Sequence, residues 1–284
     1  MTRPSRAHKV ATRVFALIAI GLIVASCGSG PRTPSEPALY TPRALDPADY
    51  RAPGIPARFG DNDPHEWEGR TPDSYQVHGI DASRYQGVID WNAVRRSGIS
   101  FTWLKATEGG DHKDPGWPIN SVAARAAGVP VGAYHFYYFC RTAREQAQWF
   151  IQNVPRVPGD LPPVLDMEWN HQSKTCKLRP DPATVRSEIR IFTDIVTRHY
   201  GTPPVIYTTP DFYEENDLGS ISTAEFWLRS VIAHPSERYP DERWTFWQYT
   251  GTGIVRGIGG KVDLNAFAGP YAAWDAWLAR RQQR

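Results

Sequence analysis

The sequence predicts an α/β fold whose strands close into a barrel. After Val77, short apolar runs alternate with amphipathic segments, and this alternation favours parallel βαβ units. Eight strand candidates lie between Val77 and Asn265. An open doubly wound sheet is disfavoured, because no glycine-rich dinucleotide-binding sequence follows the first strand. We therefore expect a TIM-like barrel, shorter than the usual length of about 250 residues.

Five βα units are expected first, followed by three strands with little helix. The strands are predicted at Val77–Ala82, Ser100–Ala106, Val129–Phe136, Leu161–Trp169, Pro204–Thr208, Glu225–Ile232, Trp244–Tyr249 and Lys261–Asn265. The helices are predicted at Trp91–Ser97, Ile119–Ala127, Ala143–Val154, Pro182–Tyr200 and, to close the domain, Pro270–Arg280. The first two helices stop before Gly98 and Gly128, since glycine readily adopts the left-handed backbone that ends a helix.

The N-terminus has the form of a secretory signal. Four basic residues within the first 13 positions precede an apolar run, Val14–Ser26, of 13 residues. That run is shorter than the roughly 20 residues of a membrane-spanning helix, so we expect residues 1–26 to be cleaved. Val24-Ala25-Ser26-Cys27 resembles a bacterial lipobox, which predicts lipidation of Cys27. An ordinary signal peptide with a coincidental cysteine is the alternative.

Charge and cysteine content change once the signal is removed. The chain has 32 Lys and Arg against 30 Asp and Glu, and residues 1–26 carry 4 of the basic ones, so the mature balance is 28 − 30, or −2. A nucleic-acid partner is therefore disfavoured. Cys140 and Cys176 remain as an even pair, for which a disulfide is the favoured state in an oxidising compartment and two free buried thiols are the alternative.

Residues 27–74 are predicted to be a tether, because they carry many prolines and no sustained periodicity. Aromatic residues such as Phe59 and Trp67 leave room for parts of it to lie along the domain surface. Residues 75–284 would then form the barrel domain. The predicted location is the cell envelope, with a lipid anchor in the outer membrane if the cell has one, since Gly28 rather than Asp follows the cysteine. A monomer without cofactor is expected.

Acidic and aromatic residues fall at the predicted strand ends, where barrels of this type hold their active sites. Asp166 and Glu168 are two residues apart on one strand, so their carboxylates should face one cavity. Two like charges held close together raise one pKa, which supplies the proton donor and the anion that glycosidic cleavage requires. The other acids are Asp81, Glu108 and Asp263, and the candidate sugar-binding side chains are Tyr134, His135, Phe136, Tyr207, Trp247 and Tyr249. No metal site is predicted, because His135 lacks a second histidine at ligand spacing.

Six ordered segments over residues 77–269 resemble the glycoside hydrolase family 25 muramidases, lysozymes that cut peptidoglycan between N-acetylmuramic acid and N-acetylglucosamine. The matching segments are Gly79-Ile80-Asp81-Ala82-Ser83, Lys105-Ala106-Thr107-Glu108-Gly109, Gly132-Ala133-Tyr134-His135-Phe136, Leu165-Asp166-Met167-Glu168, Phe246-Trp247-Gln248-Tyr249-Thr250 and Val262-Asp263-Leu264-Asn265. The family's barrel of five βα units followed by three strands agrees with the predicted pattern.

The resemblance implies a role for each acid. Glu168 would be the general acid, and Asp166 would either orient the 2-acetamido group of the substrate or act as the nucleophile. Asp81 and Asp263 would aid positioning and tune the proton of Glu168. A wall-binding module without turnover and a hydrolase of another N-acetylated glycan such as chitin are the alternatives.

The chain departs from the family pattern at two places. At the sixth predicted strand the resemblance leads us to expect Trp-x-Ala-x-Tyr, whereas the chain has Phe226-Trp227-Leu228-Arg229-Ser230. This difference affects the rim of the groove. The cysteine pair is the second departure, and a bridge between Cys140 and Cys176 would join the loops after the third and fourth strands and stiffen that side of the cleft.

Overall fold

The strands form one closed sheet. The computed structural model describes residues 45–283; the predicted signal peptide, Cys27 and the first part of the predicted tether lie outside the described residues. Between residues 45 and 283 the strands are β1 (Gly60–Asp61), β2 (His78–Ala82), β3 (Ile99–Glu108), β4 (His112–Lys113), β5 (Val131–Phe136), β6 (Val164–Met167), β7 (Val205–Thr208), β8 (Phe226–Arg229), β9 (Trp244–Ile254) and β10 (Val262–Phe267).

Eight of these strands close the barrel, which confirms the predicted fold class. In order around the barrel they are β2, β3, β5, β6, β7, β8, β9 and β10, and β10 returns to β2. Strand β10 runs antiparallel to both of its neighbours, while the other neighbouring pairs of the barrel are parallel. The segment from Ile254 to Val262 is too short for the crossover that parallel strands need, so β9 and β10 can pair only in the antiparallel sense.

Seven α-helices accompany the strands in the described part of the chain. They are α1 (Trp91–Arg96), α2 (Trp117–Ala126), α3 (Ala143–Asn153), α4 (Pro182–Tyr200), α5 (Pro210–Glu215), α6 (Pro235–Arg238) and α7 (Tyr271–Arg281). The Asp181 side chain caps the N-terminus of α4, and Gly201 ends it with a φ of 74°. None of the helices in the described part of the chain combines the length and the apolar character needed to cross a membrane.

Most strands differ from their predicted bounds by a few residues, and two of these differences have a clear physical cause. The fourth was expected to begin at Leu161 and begins at Val164, because Pro162 and Pro163 have no N–H to donate to a neighbouring strand. The seventh was expected to end at Tyr249 and continues to Ile254, since its extension pairs with β1. Both differences arise from hydrogen bonding between strands.

A buried aromatic cluster fills the barrel interior. Phe101, Trp103, Trp227 and Phe246 pack together there, and Trp274 of α7 packs against Phe101. A second apolar layer lies between the strands and the outer helices. The barrel interior is therefore a packed core rather than a pore.

Residues 45–74 are folded against the barrel, so the tether predicted for residues 27–74 is corrected over this part. Strand β1 pairs antiparallel with β9, and the Thr252 hydroxyl donates a hydrogen bond to Asp61 at 2.5 Å. Ile55 and Phe59 are buried in the outer apolar layer. The segment binds through a few isolated side chains, which leave no periodic signal in the sequence.

Candidate active site

A cavity of about 300 Å³ opens at the C-terminal ends of the parallel strands. Its lining contains residues from β2, β3, β5, β6, β7, β8, β9 and β10. The lining residues are Asp81, Ala82, Ser83, Tyr85, Gln86, Lys105, Tyr134, Phe136, Asp166, Glu168, Tyr207, Trp227, Arg229, Gln248 and Asp263. The four acids assigned to catalysis from the sequence therefore line one cavity.

Strand geometry explains how these acids meet. Asp166 is on β6 and Glu168 follows the strand by one residue, and both face the cavity as their alternating positions predict. Asp81 on β2 and Asp263 on β10 are direct partners in the antiparallel register. Two pairs of carboxyl groups thus enter the cavity from different parts of the barrel wall.

Asp81 is held by a hydrogen-bond network. Its Oδ1 accepts from the Asn265 side-chain amide at 2.8 Å and from the Gln248 amide at 3.1 Å. The Tyr207 hydroxyl donates to Gln248 Oε1 at 2.9 Å, and the Trp227 indole N–H donates to Asn265 Oδ1 at 2.8 Å. Burial raises the pKa of Asp81 to about 6, and the two amide donors limit that rise.

Glu168 has the properties of a proton donor at neutral pH. Burial raises its pKa from 4.5 to about 7, while the positive charge of Arg229 opposes the rise. A carboxyl group with this pKa is protonated in about half of the molecules at pH 7. It can therefore give up a proton to a leaving group and take one back later.

Asp166 and Asp263 are more strongly affected. Burial raises the pKa of Asp166 well above its ordinary value, and the neighbouring Glu168 adds to the rise. Burial also raises the pKa of Asp263 well above its ordinary value, and the neighbouring Asp81 adds to the rise. Among the described residues, Asp166 Oδ1 is a buried oxygen without a hydrogen-bond partner. This oxygen is free to accept a hydrogen bond from a substrate.

Two cations line the cavity, and their surroundings differ. Lys105 Nζ lies 2.5 Å from Glu108 Oε2 and 4.6 Å from the centre of the Phe136 ring. Arg229, the last residue of β8, is half-buried and forms no ion pair with a carboxylate in residues 45–283. No group of histidine, cysteine and acidic side chains in that range is arranged to hold a metal ion.

Three of the aromatic residues predicted to bind sugar line the cavity: Tyr134, Phe136 and Tyr207. Burial raises the pKa of both tyrosines well above its ordinary value, and the carboxyl groups nearby add to the rise. Their hydroxyl groups therefore stay protonated and can donate hydrogen bonds. Tyr207 already donates to Gln248.

The prediction was wrong for His135, Trp247 and Tyr249, which face away from the cavity. Each is next in sequence to a lining residue, and neighbouring residues on a strand point to opposite faces. His135 is fully buried and bonds to Thr107 and Gln146, while Trp247 donates to the Ser230 carbonyl. Tyr249 bonds to His78.

Glu108 was also predicted to bind substrate and is not among the lining residues. It is bound to Lys105 at the end of β3 and holds that cation beside the cavity. The lining residues that were not predicted as site residues are Ala82, Ser83, Tyr85, Gln86, Lys105, Trp227, Arg229 and Gln248. Residues two apart on a strand share a face, so Gln248 could have been inferred from Phe246 on β9 and Arg229 from Trp227 on β8.

A disulfide joins Cys140 to Cys176, with 5.8 Å between their Cα atoms. Cys140 follows β5 and Cys176 follows β6, so the bridge links the loops beyond two neighbouring strands. A smaller cavity of about 170 Å³ lies against this bridge and shares Glu168 with the main cavity. The covalent link therefore supports the wall of the site beside Glu168.

Glu168→Gln is expected to stabilise the fold at alkaline pH. The pKa of Glu168 is higher in the folded protein than in the unfolded chain, so its contribution to stability is present below pH 4.5 and is lost as the pH rises to about 7. A neutral amide avoids this loss, so the free energy of unfolding at pH 8 should rise by about 1–3 kcal/mol. Urea unfolding at pH 4.5 and pH 8 measures the difference.

The matched control is Glu214→Gln, which changes an exposed glutamate on α5. Its stability should follow that of the wild type at both pH values. If Glu168→Gln shifted the unfolding midpoint equally at pH 4.5 and pH 8, the raised pKa of Glu168 would be contradicted.

Comparisons with known proteins identify a family. The family model for glycosyl hydrolases family 25 matches residues 80–258. The chain is 37% identical over 217 residues to the uncharacterized protein YegX of Escherichia coli (strain K12). The aligned region covers 74% of this chain and 76% of that protein. It is 35% identical over 208 residues to Lysozyme M1 of Streptomyces globisporus, and the aligned region covers 70% of each of the two chains. A family 25 glycosyl hydrolase from Bacillus anthracis has a TM-score of 0.68 and 33% identity, over 76% of this chain and 99% of that one.

Proposed function

The chain belongs to glycosyl hydrolase family 25, and from this premise we propose that it hydrolyses the β-1,4 bond between N-acetylmuramic acid and N-acetylglucosamine in peptidoglycan. The observation that carries the proposal is the placement of Glu168 and Asp166 in one cavity, with burial raising the pKa of Glu168 to about 7. A protonated acid beside a second carboxyl group is the arrangement that cleavage of a glycosidic bond requires.

Glu168 is proposed as the general acid. Its proton moves to the glycosidic oxygen as the bond from that oxygen to the anomeric carbon breaks, so the leaving sugar departs as a neutral alcohol. The resulting Glu168 carboxylate then takes a proton from the water that attacks the anomeric carbon. The group thus returns to its starting state after one turnover.

Asp166 is proposed to orient the 2-acetamido group rather than to attack the sugar. Its buried Oδ1, which lacks a partner among the described residues, can accept the acetamido N–H. The acetamido carbonyl oxygen then attacks the anomeric carbon and forms a cyclic cation, which the attacking water later opens. Burial also disfavours the ionised form that a carboxylate nucleophile needs.

Asp81 and Asp263 are proposed as positioning residues. Asp81 is fixed by Asn265 and Gln248, and Asp263 is its neighbour across the β10–β2 pair. Burial raises the pKa of Asp263 well above its ordinary value, whereas Asp81, with a pKa of about 6, is largely ionised at pH 7. The negative charge of Asp81 helps to keep the proton on Glu168 until substrate arrives, because it raises the pKa of that group.

Product analysis tests the proposed reaction. Purified peptidoglycan is digested with the protein, the new ends are reduced, and the fragments are identified by mass spectrometry. A muramidase releases fragments that end in reduced N-acetylmuramic acid, whereas a glucosaminidase leaves reduced N-acetylglucosamine. Sedimentation of the protein with peptidoglycan without any release would favour the alternative of a non-catalytic wall-binding protein.

We also propose that the protein is an envelope lipoprotein anchored through Cys27. The basic segment, the apolar run and the lipobox-like Val24-Ala25-Ser26-Cys27 support this proposal. Cys27→Ser should move the protein from the membrane fraction to the soluble fraction after a high-salt wash. Formation of the Cys140–Cys176 disulfide in the variant serves as the control for export. Retention of the oxidised variant on membranes would contradict the anchor.

A further inference from the structure

Arg229 has no ion-pair partner among the described residues, although it lines a cavity rich in carboxyl groups. Within residues 45–283 no carboxylate pairs with it, whereas Lys105, the other cation in the lining, is bound to Glu108. Trp227 and Arg229 both face the cavity because they are two residues apart on β8. The Tyr239 hydroxyl donates to the Arg229 carbonyl at 2.7 Å and holds the backbone that carries the side chain.

The acids near Arg229 do not neutralise it. Its charge acts on Asp81, Glu168 and Asp263, yet within residues 45–283 none of the three lies at ion-pair distance from it. A guanidinium group carries five N–H donors in a planar fork that matches a carboxylate. The half-buried position of Arg229 strengthens such a contact, since little water competes for it.

The spacing of the strands fits a ligand that also contacts Asp166. Strand β8 is two strands from β6, which is about 10 Å at the usual strand spacing. Tyr207 on the intervening strand β7 also lines the cavity. Asp166 and Arg229 therefore line one cavity from strands two apart, and a sugar bound at Asp166 can reach Arg229 with a neighbouring substituent.

We propose that Arg229 binds the free carboxylate of the lactyl group of N-acetylmuramic acid, so that the enzyme prefers glycan strands without peptide stems. The inference rests on the proposed muramidase function. In stem-bearing glycan this carboxyl group is part of a neutral amide, which offers no charge to a guanidinium. A hydrolase of the amide bond between lactyl group and peptide is thus the class of reaction that supplies the preferred substrate.

Two matched substrates test this inference. One is a peptide-free glycan oligosaccharide with its lactyl carboxylates intact, and the other is the same oligosaccharide with each carboxylate converted to a primary amide. The wild type should show kcat/KM about 10- to 100-fold higher for the carboxylate form, because hydrogen bonds between charged groups are the strong ones. In Arg229→Gln the ratio should fall to about one, and in Arg229→Lys it should be intermediate.

Further readouts separate this role from a purely electrostatic one. Removing the positive charge should raise the pKa of Glu168 and move the alkaline limb of the pH profile to higher pH, whether or not Arg229 binds the lactyl carboxylate. Only carboxylate binding changes the ratio between the two substrates. Arg280→Gln, an exposed arginine on α7, is the matched control and should keep the wild-type ratio.

The outcomes are distinguishable. A wild-type ratio near one, or an unchanged ratio in Arg229→Gln, would overturn the inference while leaving the muramidase proposal intact. Loss of activity in Arg229→Gln on stem-bearing fragments alone would assign the contact to stem carboxylates and would also overturn it. Absence of cleavage of every glycan by the wild type would instead refute the proposed function. Urea unfolding shows whether each variant is folded. If Arg229→Gln does not fold, Arg229→Lys still provides the test.

Discussion

Glu168→Gln is expected to lower kcat/KM on purified peptidoglycan by about 10³-fold. The amide keeps the shape of the side chain but has no proton that it can transfer to the leaving oxygen, and general acid catalysis typically contributes 10²- to 10⁴-fold. Burial raises the pKa of the native carboxyl group to about 7, so the wild type holds the required proton below that pH. Release of soluble fragments from dye-labelled peptidoglycan measures the loss.

The pH profile supplies a second readout for Glu168. The active form is the protonated one, so wild-type kcat/KM should decline as the pH rises through about 7. The residual activity of Glu168→Gln should lack this limb. Glu214→Gln, on the exposed surface of α5, should retain both the wild-type rate and the wild-type profile. Equal release of soluble fragments by Glu168→Gln and the wild type would contradict the assignment of Glu168 as the general acid.

Asp166→Asn is expected to reduce kcat/KM by about 10²-fold, which is a smaller loss than that of Glu168→Gln. The aspartate is buried, and its unpaired Oδ1 is the proposed acceptor for the acetamido N–H. An asparagine oxygen can still accept this hydrogen bond, but its amide cannot ionise, so it cannot gain the negative charge that a carboxyl group develops when a cation forms beside it. Single-turnover measurements on glycan fragments separate this step from binding.

Two probes distinguish orientation of the acetamido group from nucleophilic attack by Asp166. Added azide should not restore activity to Asp166→Asn, because no covalent bond to residue 166 is lost. Replacing the acetamido group by its trifluoro analogue should slow the wild type strongly, since fluorine weakens the attacking carbonyl oxygen. Azide rescue that yields a glycosyl azide, with no effect of fluorination, would show Asp166 to be the nucleophile.

Much of this molecule follows from local sequence patterns. Strand and helix alternation and the short segment after β9 determine a barrel with an antiparallel final strand. The period of two residues places Asp166 and Glu168 on one face, and the strand-end rule brings Asp81 to the same opening. Asp263 reaches this opening from the start of β10, because that strand runs antiparallel to β2. These features depend on neighbours along the chain, so one sequence is enough to predict them.

Other features depended on contacts between distant residues. Tyr134 and His135 are both polar and aromatic, so residue type does not show which of them faces the cavity. The packing of β5 between the barrel interior and helices α3 and α4 decides it. The packing of residues 45–74 rests on β1, which pairs with a strand far along the chain. Neither is visible in a local pattern.

The sequence by itself determined the fold class and the four acids, because alternation along a strand is a local property. The tertiary structure alone decided their environment: burial in the closed barrel, which raises the pKa of Glu168, and the isolation of Arg229 from any described ion-pair partner. Desolvation and charge pairing depend on what surrounds a group in three dimensions. The chemistry of the site is therefore a property of the closed barrel, although its residues can be named from the chain.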